Sequence, residues 1–523
     1  MYPRINGTSR SRSVIQLPGE RYVSQSTISL LAGDCGSKSY AVSGQADRKS
    51  AKRAGIGRIM NISELADLDI RTLTAAYKAG TLSPVEALSA TLAHTERVNP
   101  TINALFHIAS DEAMAVAKAS EARWQRGEPL SELDGIPVTI KDSVNKAGWP
   151  YFHGARPNRD LPPAREDAPP AARLQEAGAV IFAKTVMPDC GLLGAGVSSS
   201  HGIVRNPWRL SANTGGSSAG AGASLAAGLG LMSVGSDIAG SVRLPAGHCG
   251  LAALKPTQGL IPHLASDIMR SAGPMARSVT DIAAMLRILA RPDSRDCWSL
   301  PPTDIDYASQ LERDVKGLKI GVLLDMGFDP RPVPEVVAVV TASARLLEQA
   351  GAQVSEVPPP FDYDAYEAID RILQIRGYAE IQSFAPERRS EVTPAVFAWS
   401  QPGGSYTTTD HANFLKSIAA SRMRMEAHTR PYDYVLSPIL PVVNFAAEAP
   451  GARTDVPLAH ANFTALFNQT TQPAAAVHQA FAAGLPIGVQ VSGKRFDDLG
   501  VLQVAQFLEK ARGPMVWPLN PRA

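Results

Sequence analysis

Residues 213–247 read NTGGSSAGAGASLAAGLGLMSVGSDIAGSVRLPAG, and how they are read decides the fold. The stretch holds nine glycines and six serines, and its only charged side chains are Asp237 and Arg243. Average glycine usage would supply roughly two or three glycines over that length. Bare backbone and hydroxyls are concentrated here, and four kinds of chemistry could account for them.

A phosphate-binding loop needs a Lys after its glycines, and none follows. A dinucleotide GxGxxG is absent in strict form, because Gly220-Ala-Gly222 runs on into Ala-Ser-Leu. Gly216-Ser217-Ser218-Ala219-Gly220 matches the GxSxG nucleophile elbow, with Ser218 as the nucleophile. That elbow must leave a buried strand directly, whereas the approach, RNPWRLSANT, contains Pro and no β-branched run.

The fourth reading pairs two serines, Ser217 in GGSS and Ser241 in GSDIAGS, both in loops whose N–H groups can converge on one oxyanion. Between them the small side chains of GAGASLAAG form a helix able to pack closely against the segment carrying Ser241. A serine needs a base. The ten histidines are scattered, and His248 beside Cys249 reads as packing. Lys141 closes the apolar segment DGIPVTIK, where burial would lower its pKa enough for it to serve. The SxxK match at Ser143–Lys146 is set aside, since Gly148 and Pro150 oppose the helix it requires.

Outward from this centre the chain alternates helix and strand. Ser83-Pro-Val-Glu86 is a capping box opening a helix, and DEAMAVAKASEARWQRG is a second helix, closed by Gly127. Strands are expected at 136–141, AVIFAK, LKIGVLLD, DYVLSPIL and LPIGVQVSG, with helices at AARLQEAG and PEVVAVVTASARLLEQAG. This pattern predicts an α/β fold with a central sheet covered on both faces by helices. Residues 357–430, with PPP and QPGGS, look least regular and read as a lid or insertion.

The bulk numbers restrict function. The chain has 523 residues, a net charge of +2 and 19% charged residues. Nothing there points to a nucleic-acid partner, and no run of about 18 apolar residues predicts a membrane span. Four cysteines, Cys35, Cys190, Cys249 and Cys297, lie far apart without metal-ligand spacing, as in a reduced, cytoplasmic protein. Residues 1–59 carry ten Lys/Arg against three Asp/Glu. They read as a disordered or mis-called N-terminal extension rather than a transit peptide, with a domain beginning at Met60.

The chain resembles the amidase signature family in GIPVTIKDSVNKAG, AKTVMPD, RNPWRLSANTGGSSAGAGASLAAG, GSDIAGSVRLPAGHCGLAALKPTQGLIP and GPMARSVTDIAAML. Weaker matches are YDYVLSPILP and NQTTQPAAAVHQAFAAGLPIGVQVSGKRFDD. The resemblance implies one large catalytic domain over 60–523, with a signature core at 131–287 and a variable substrate-pocket region at about 360–430. It implies a nucleophile, Ser241, a proton relay through Ser217 with a cis peptide bond, and a base, Lys141. It further implies oxyanion donors at Ile238, Ala239, Gly240 and Ser241, substrate lining at Gly191, and support from Ser218, Asp237 and Arg243. The implied reaction is hydrolysis of a small-molecule amide through an acyl-enzyme, with no cofactor and no metal; a homodimer is common among such proteins.

Three departures stand out: Ala219 and Ala239 where the family has Gly, and Ser236 where it has Thr. If Ala239 needs a positive φ it costs on the order of 1 kcal/mol. Two other functions stay open: the glutaminase component of a tRNA-dependent amidotransferase, and a non-catalytic binding homologue. Phe361, Tyr363, Tyr366, Phe384, Phe397 and Trp399 would line the pocket, which suggests apolar or aryl amides as substrates.

Overall fold

The computed structural model describes residues 68–521. The extension at 1–59 and the domain start at Met60 lie outside the described residues.

The strands are β1 (Leu105–Ile108), β2 (Pro137–Lys141), β3 (Val180–Thr185), β4 (Val197–Ser198), β5 (Gly202–Ile203), β6 (Met232–Asp237), β7 (Ala252–Lys255), β8 (Ser271–Ala276), β9 (Lys319–Val322), β10 (Gln353–Glu356), β11 (Tyr434–Pro438), β12 (Ala474–Ala482) and β13 (Leu485–Gly493). The helices are α1 (Ile70–Ala79), α2 (Pro84–Ile102), α3 (Ser110–Arg126), α4 (Pro169–Glu176), α5 (Ala219–Ala226), α6 (Arg243–Cys249), α7 (Val279–Leu289), α8 (Pro334–Gln349), α9 (Glu367–Ser383), α10 (Pro394–Ser400), α11 (Thr408–Thr429), α12 (Asn462–Gln469) and α13 (Asp498–Arg512).

Local signals set the first helices. Ser83 Oγ accepts from the Glu86 N–H at 3.2 Å while Glu86 Oε2 accepts from the Ser83 N–H at 2.8 Å, the reciprocal pair of a capping box. Gly127 ends α3 in the left-handed region at φ 76°.

Eleven strands form one mixed sheet in the order β1-β3-β2-β6-β8-β7-β12-β13-β11-β9-β10, and β4 and β5 pair separately. β3, β2 and β6 run parallel, as do β11, β9 and β10; the pairings between these groups are antiparallel. Side chains alternate across the sheet with period two. Leu254, Ala475, Val477 and Leu436 pack on one face with Ile282 and Met285 of α7 and Val501 and Leu502 of α13. Ala253, Ala474, Ala476 and Val435 pack on the other, with Leu244 and Ala246 of α6. Both faces are covered, which is why the strands are apolar on both sides.

The segment 357–430 departs from the lid-like reading: it is largely helical, in α9, α10 and α11. Its Pro and Gly residues sit at helix starts and junctions. Pro394 opens α10, and residues 401–404 form a single 3-10 turn. Proline there costs no helical hydrogen bond.

Candidate active site

Lys141 is the last residue of β2, and β6, its parallel neighbour, ends at Asp237. Both strands therefore point their carboxyl ends at the same place, where parallel sheets form ligand crevices. Lys141 is wholly buried. Its Nζ lies 2.7 Å from Ser217 Oγ, 3.2 Å from Ser236 Oγ and 3.4 Å from the Ser236 carbonyl. Burial pulls the ammonium pKa down and the Arg270 guanidinium adds to this. The Asp237 and Asp142 carboxylates oppose it, and the result is about 7. As a neutral amine, Lys141 would give its N–H groups to Ser236 and its lone pair to the Ser217 hydroxyl.

Burial alone does not single out Lys141. Lys184 and Lys255 are equally buried, and burial lowers their pKa values to about 8 and about 7. Lys184 donates to the Asp142 and Pro150 carbonyls, each at 2.9 Å, and Lys255 to the Pro256 carbonyl at 2.9 Å. Of the three, Lys141 is the one whose amine meets serine hydroxyls, those of Ser217 and Ser236.

The Gly216–Ser217 peptide bond is cis. Ser217 is 3% exposed, and the next residue's N–H donates to the Ser241 carbonyl at 3.0 Å, which ties the two serine loops together. Behind them α5 packs closely, as its composition requires. A Cβ on Gly220 would lie 2.2 Å from the Ala104 carbonyl oxygen, and one on Gly222 would lie 2.9 Å from Pro245 Cβ in α6. Ala219 starts α5 and is fully buried without difficulty. The Ser218 hydroxyl is buried and has no hydrogen-bond partner among the described residues. Ser218 is reached through turns rather than a strand, so it is no nucleophile elbow.

Ser241 is half-buried and lines a cavity of about 60 Å³ together with Gly191, Ile238 and Ala239. Among the described residues the N–H groups of Ile238, Ala239 and Ser241 meet no protein acceptor. Gly240 corrects the expected set of four donors, because its N–H is spent on Asp237 Oδ1 at 2.7 Å. Gly240 instead makes the turn. Its φ is 123°, and a Cβ would fall 2.3 Å from Thr464 Oγ1. Ala239 is not among the residues with positive φ, so its methyl group carries no left-handed cost.

Asp237 and Arg243 form a wholly buried pair, with Arg243 Nη2 2.8 Å from Asp237 Oδ1 and Nε 3.0 Å from Oδ2. Burial works against the carboxylate, but the guanidinium and hydrogen bonds from Arg243 and Asn468 hold its pKa at about 2. Arg243 also donates to Gln490 Oε1 at 2.7 Å, Asn468 Oδ1 at 2.6 Å and the Thr464 carbonyl at 3.0 Å. Thr464 Oγ1 in turn holds the Ala239 carbonyl at 2.6 Å. Sequence reading missed Thr464, Asn468 and Gln490. A polar Gln490 in the middle of the largely apolar LPIGVQVSG was the available signal.

The cavity lining corrects the expected aromatic pocket. Phe361, Tyr366 and Trp399 are buried in the core, Phe384 and Phe397 pack against it, and Tyr363 is exposed and meets Ser421 Oγ at 3.0 Å. None of them lines the cavity. Leu373, Arg376 and Glu380 do so instead, spaced along one face of α9, with Arg270 and His153 opposite. His248 is packing, as read: fully buried, with its ring edge-on to Phe445 at 5.3 Å. Lys146 turns away to Glu112 at 2.5 Å.

Among the described residues, His153, Cys190 and Glu380 are the one group of three or more His, Cys, Asp or Glu side chains whose potential ligand atoms all lie within 4.8 Å of one another. Burial pushes the Cys190 thiol well up, and Arg270 and Arg376 face the same cavity, so the surroundings disfavour a cation. A larger cleft, about 640 Å³, is lined by Arg422, Arg430 and Lys494 and by none of the three candidate catalytic residues.

Known proteins share both the sequence pattern and the fold. The family model described as Amidase matches residues 86–502. One relative is the glutamyl-tRNA(Gln) amidotransferase A chain of Anaeromyxobacter dehalogenans (strain 2CP-C), 32% identical over 498 residues, covering 88% of this chain and 99% of that protein. The chain is also 32% identical over 458 residues to an acylamidase of Rhodococcus erythropolis, covering 85% and 95%. Among solved structures it resembles a bacterial aryl acylamidase of the amidase signature enzymes, with a TM-score of 0.79 and 26% identity, covering 86% and 96%.

Proposed function

The chain belongs to the amidase family, and from that premise we propose that it hydrolyses a small carboxylic acid amide to the acid and ammonia or an amine through an acyl-enzyme on Ser241. The observation that carries this reading is Lys141, wholly buried, with a pKa near neutrality and 2.7 Å from Ser217 Oγ.

In this mechanism Lys141 takes the Ser217 proton while Ser217 takes that of Ser241. Ser241 Oγ attacks the amide carbonyl, and the resulting oxyanion faces the N–H groups of Ile238, Ala239 and Ser241. The relay returns the proton to the leaving nitrogen, the C–N bond breaks, and the acyl group stays on Ser241. Water, deprotonated through the same relay, then attacks the ester and releases the acid. Gly191 lines the substrate site beside Ser217, whose Oγ would lie 3.5 Å from a Cβ at that position. Asp237 and Arg243 hold the 237–243 loop in shape, and no residue of this scheme calls for a cofactor.

A second reading is the glutaminase component of a glutamyl-tRNA amidotransferase, favoured by the Anaeromyxobacter relative at equal identity. Nothing in the comparisons favours a non-catalytic homologue. The purified chain should hydrolyse simple amides alone and lose this with Ser241→Ala. Glutamine hydrolysis that appears only with a co-purified partner would establish the second reading instead. A cytoplasmic setting is supported by the free state of Cys190, Cys249 and Cys297. A homodimer stays part of the proposal.

A further inference from the structure

The cavity beside Ser241 contains a cation, Arg270, that makes no hydrogen bond or ion pair among the described residues, although the Asp267 and Glu380 carboxylates lie near enough to favour its charge. Asp237 pairs with Ser271 in the antiparallel β6–β8 ladder, so Arg270 lies across from Ile238, where the loop to Ser241 begins. Arg270 is half-buried and lines the same cavity as Ser241. Its backbone is pinned, because Gln258 Nε2 donates to the Asp267 and Arg270 carbonyls, each at 2.8 Å, and Ser271 Oγ donates to Gln258 Oε1 at 3.0 Å. Among the described residues, however, its guanidinium makes no hydrogen bond and no ion pair.

The acidic groups around it are engaged elsewhere. Asp267 pairs with Arg376 at 2.8 Å, and Glu380 faces His153 at 3.8 Å. Asp142 accepts from the N–H groups of Phe152 at 3.0 Å and Gly154 at 2.8 Å, and lies 3.7 Å from Lys184. Asp237 is taken by Arg243. Arg376, which lines the same cavity, and Lys141 are donors and give Arg270 nothing to bind. A half-buried guanidinium without an acceptor is costly, and its planar fork of N–H donors matches a carboxylate. Leu192, Leu244, Leu373 and Leu458 also line this cavity, which suits methylenes.

We propose that Arg270 binds a carboxylate on the substrate, so that the site selects short aliphatic amides bearing a carboxylate at the far end. This rests on the amidase reading above and narrows it.

The test compares glutaramate with its neutral isostere glutaramide, following ammonia release. In the wild type kcat/KM should favour glutaramate by about 10-fold or more, the worth of one charge-assisted contact. Arg270→Gln should bring the ratio to about 1, mainly through KM, and Arg270→Lys should restore part of it. Should Arg270→Gln fail to fold, competition by glutarate against a neutral amide decides, with tight competition expected of the wild type. A wild-type ratio at or below 1, or glutarate that does not compete, overturns the proposal. If neutral amides are hydrolysed by the wild type and not by Ser241→Ala, with no carboxylate preference, only this inference falls. If no amide is hydrolysed and Ser241 resists labelling, the amidase reading falls with it.

Discussion

Lys141 Nζ and Ser217 Oγ lie 2.7 Å apart, with both side chains buried, while Ser241, tied to the Ser217 loop through the Ser218 N–H, lines the adjoining cavity. A base in that position works only when neutral. Burial holds the Lys141 pKa at about 7, so the proposed activity should be present above that pH and lost as pH falls through it.

The expected profile of log kcat/KM therefore rises with pH up to about 7 and levels off above it. Lys141→Ala should lower kcat/KM by about 10²- to 10⁴-fold and remove the inflection. A profile flat from acid to alkaline conditions would eliminate the lysine as base.

Arg243 is the sole guanidinium on the buried Asp237 carboxylate among the described residues, and Arg243→Met leaves that charge without its ion-pair partner. Breaking a buried pair from one side costs about 3–5 kcal/mol. Asp237 in the intact pair titrates at about 2, below its ordinary 3.8, so the contribution is complete above 3.8 and fades as pH falls towards 2. Without Arg243, burial raises the same pKa, and acid relieves the variant where it weakens the wild type. Urea unfolding should show a stability gap that is widest near neutral pH and narrows on acidification. A gap under about 1 kcal/mol, or one independent of pH, would contradict this account.

What the sequence made legible was local. The Ser83–Glu86 cap, the Gly127 stop, β2 running into Lys141 and the Gly-Ala helix α5 each depend on neighbours a few residues away. β6, MSVGSD, was hidden, because Ser, Gly and Asp are poor strand formers and only pairing with β2 and β8 on either side makes it one. β12, AAAVHQAFA, was hidden too: alanine favours helices, yet a sheet covered on both faces has room for small side chains. The two serines and the lysine stood out because glycine density and a misplaced lysine are visible along the chain. Asn468 and Gln490 did not, since they reach Asp237 and Arg243 across 231 and 247 residues. The aromatics of 360–430 misled for a related reason. Composition cannot say which face of α9 borders the cavity, and that face carries Leu373, Arg376 and Glu380.

The central claim is that Ser241 is a nucleophile activated through Ser217 by Lys141, and covalent labelling tests it most directly. Treatment with a serine-directed phosphonate followed by peptide mapping should place the label on Ser241 and show it lost in Lys141→Ala. Label on Ser218 instead, or label on Ser241 that survives Lys141→Ala, would contradict the account.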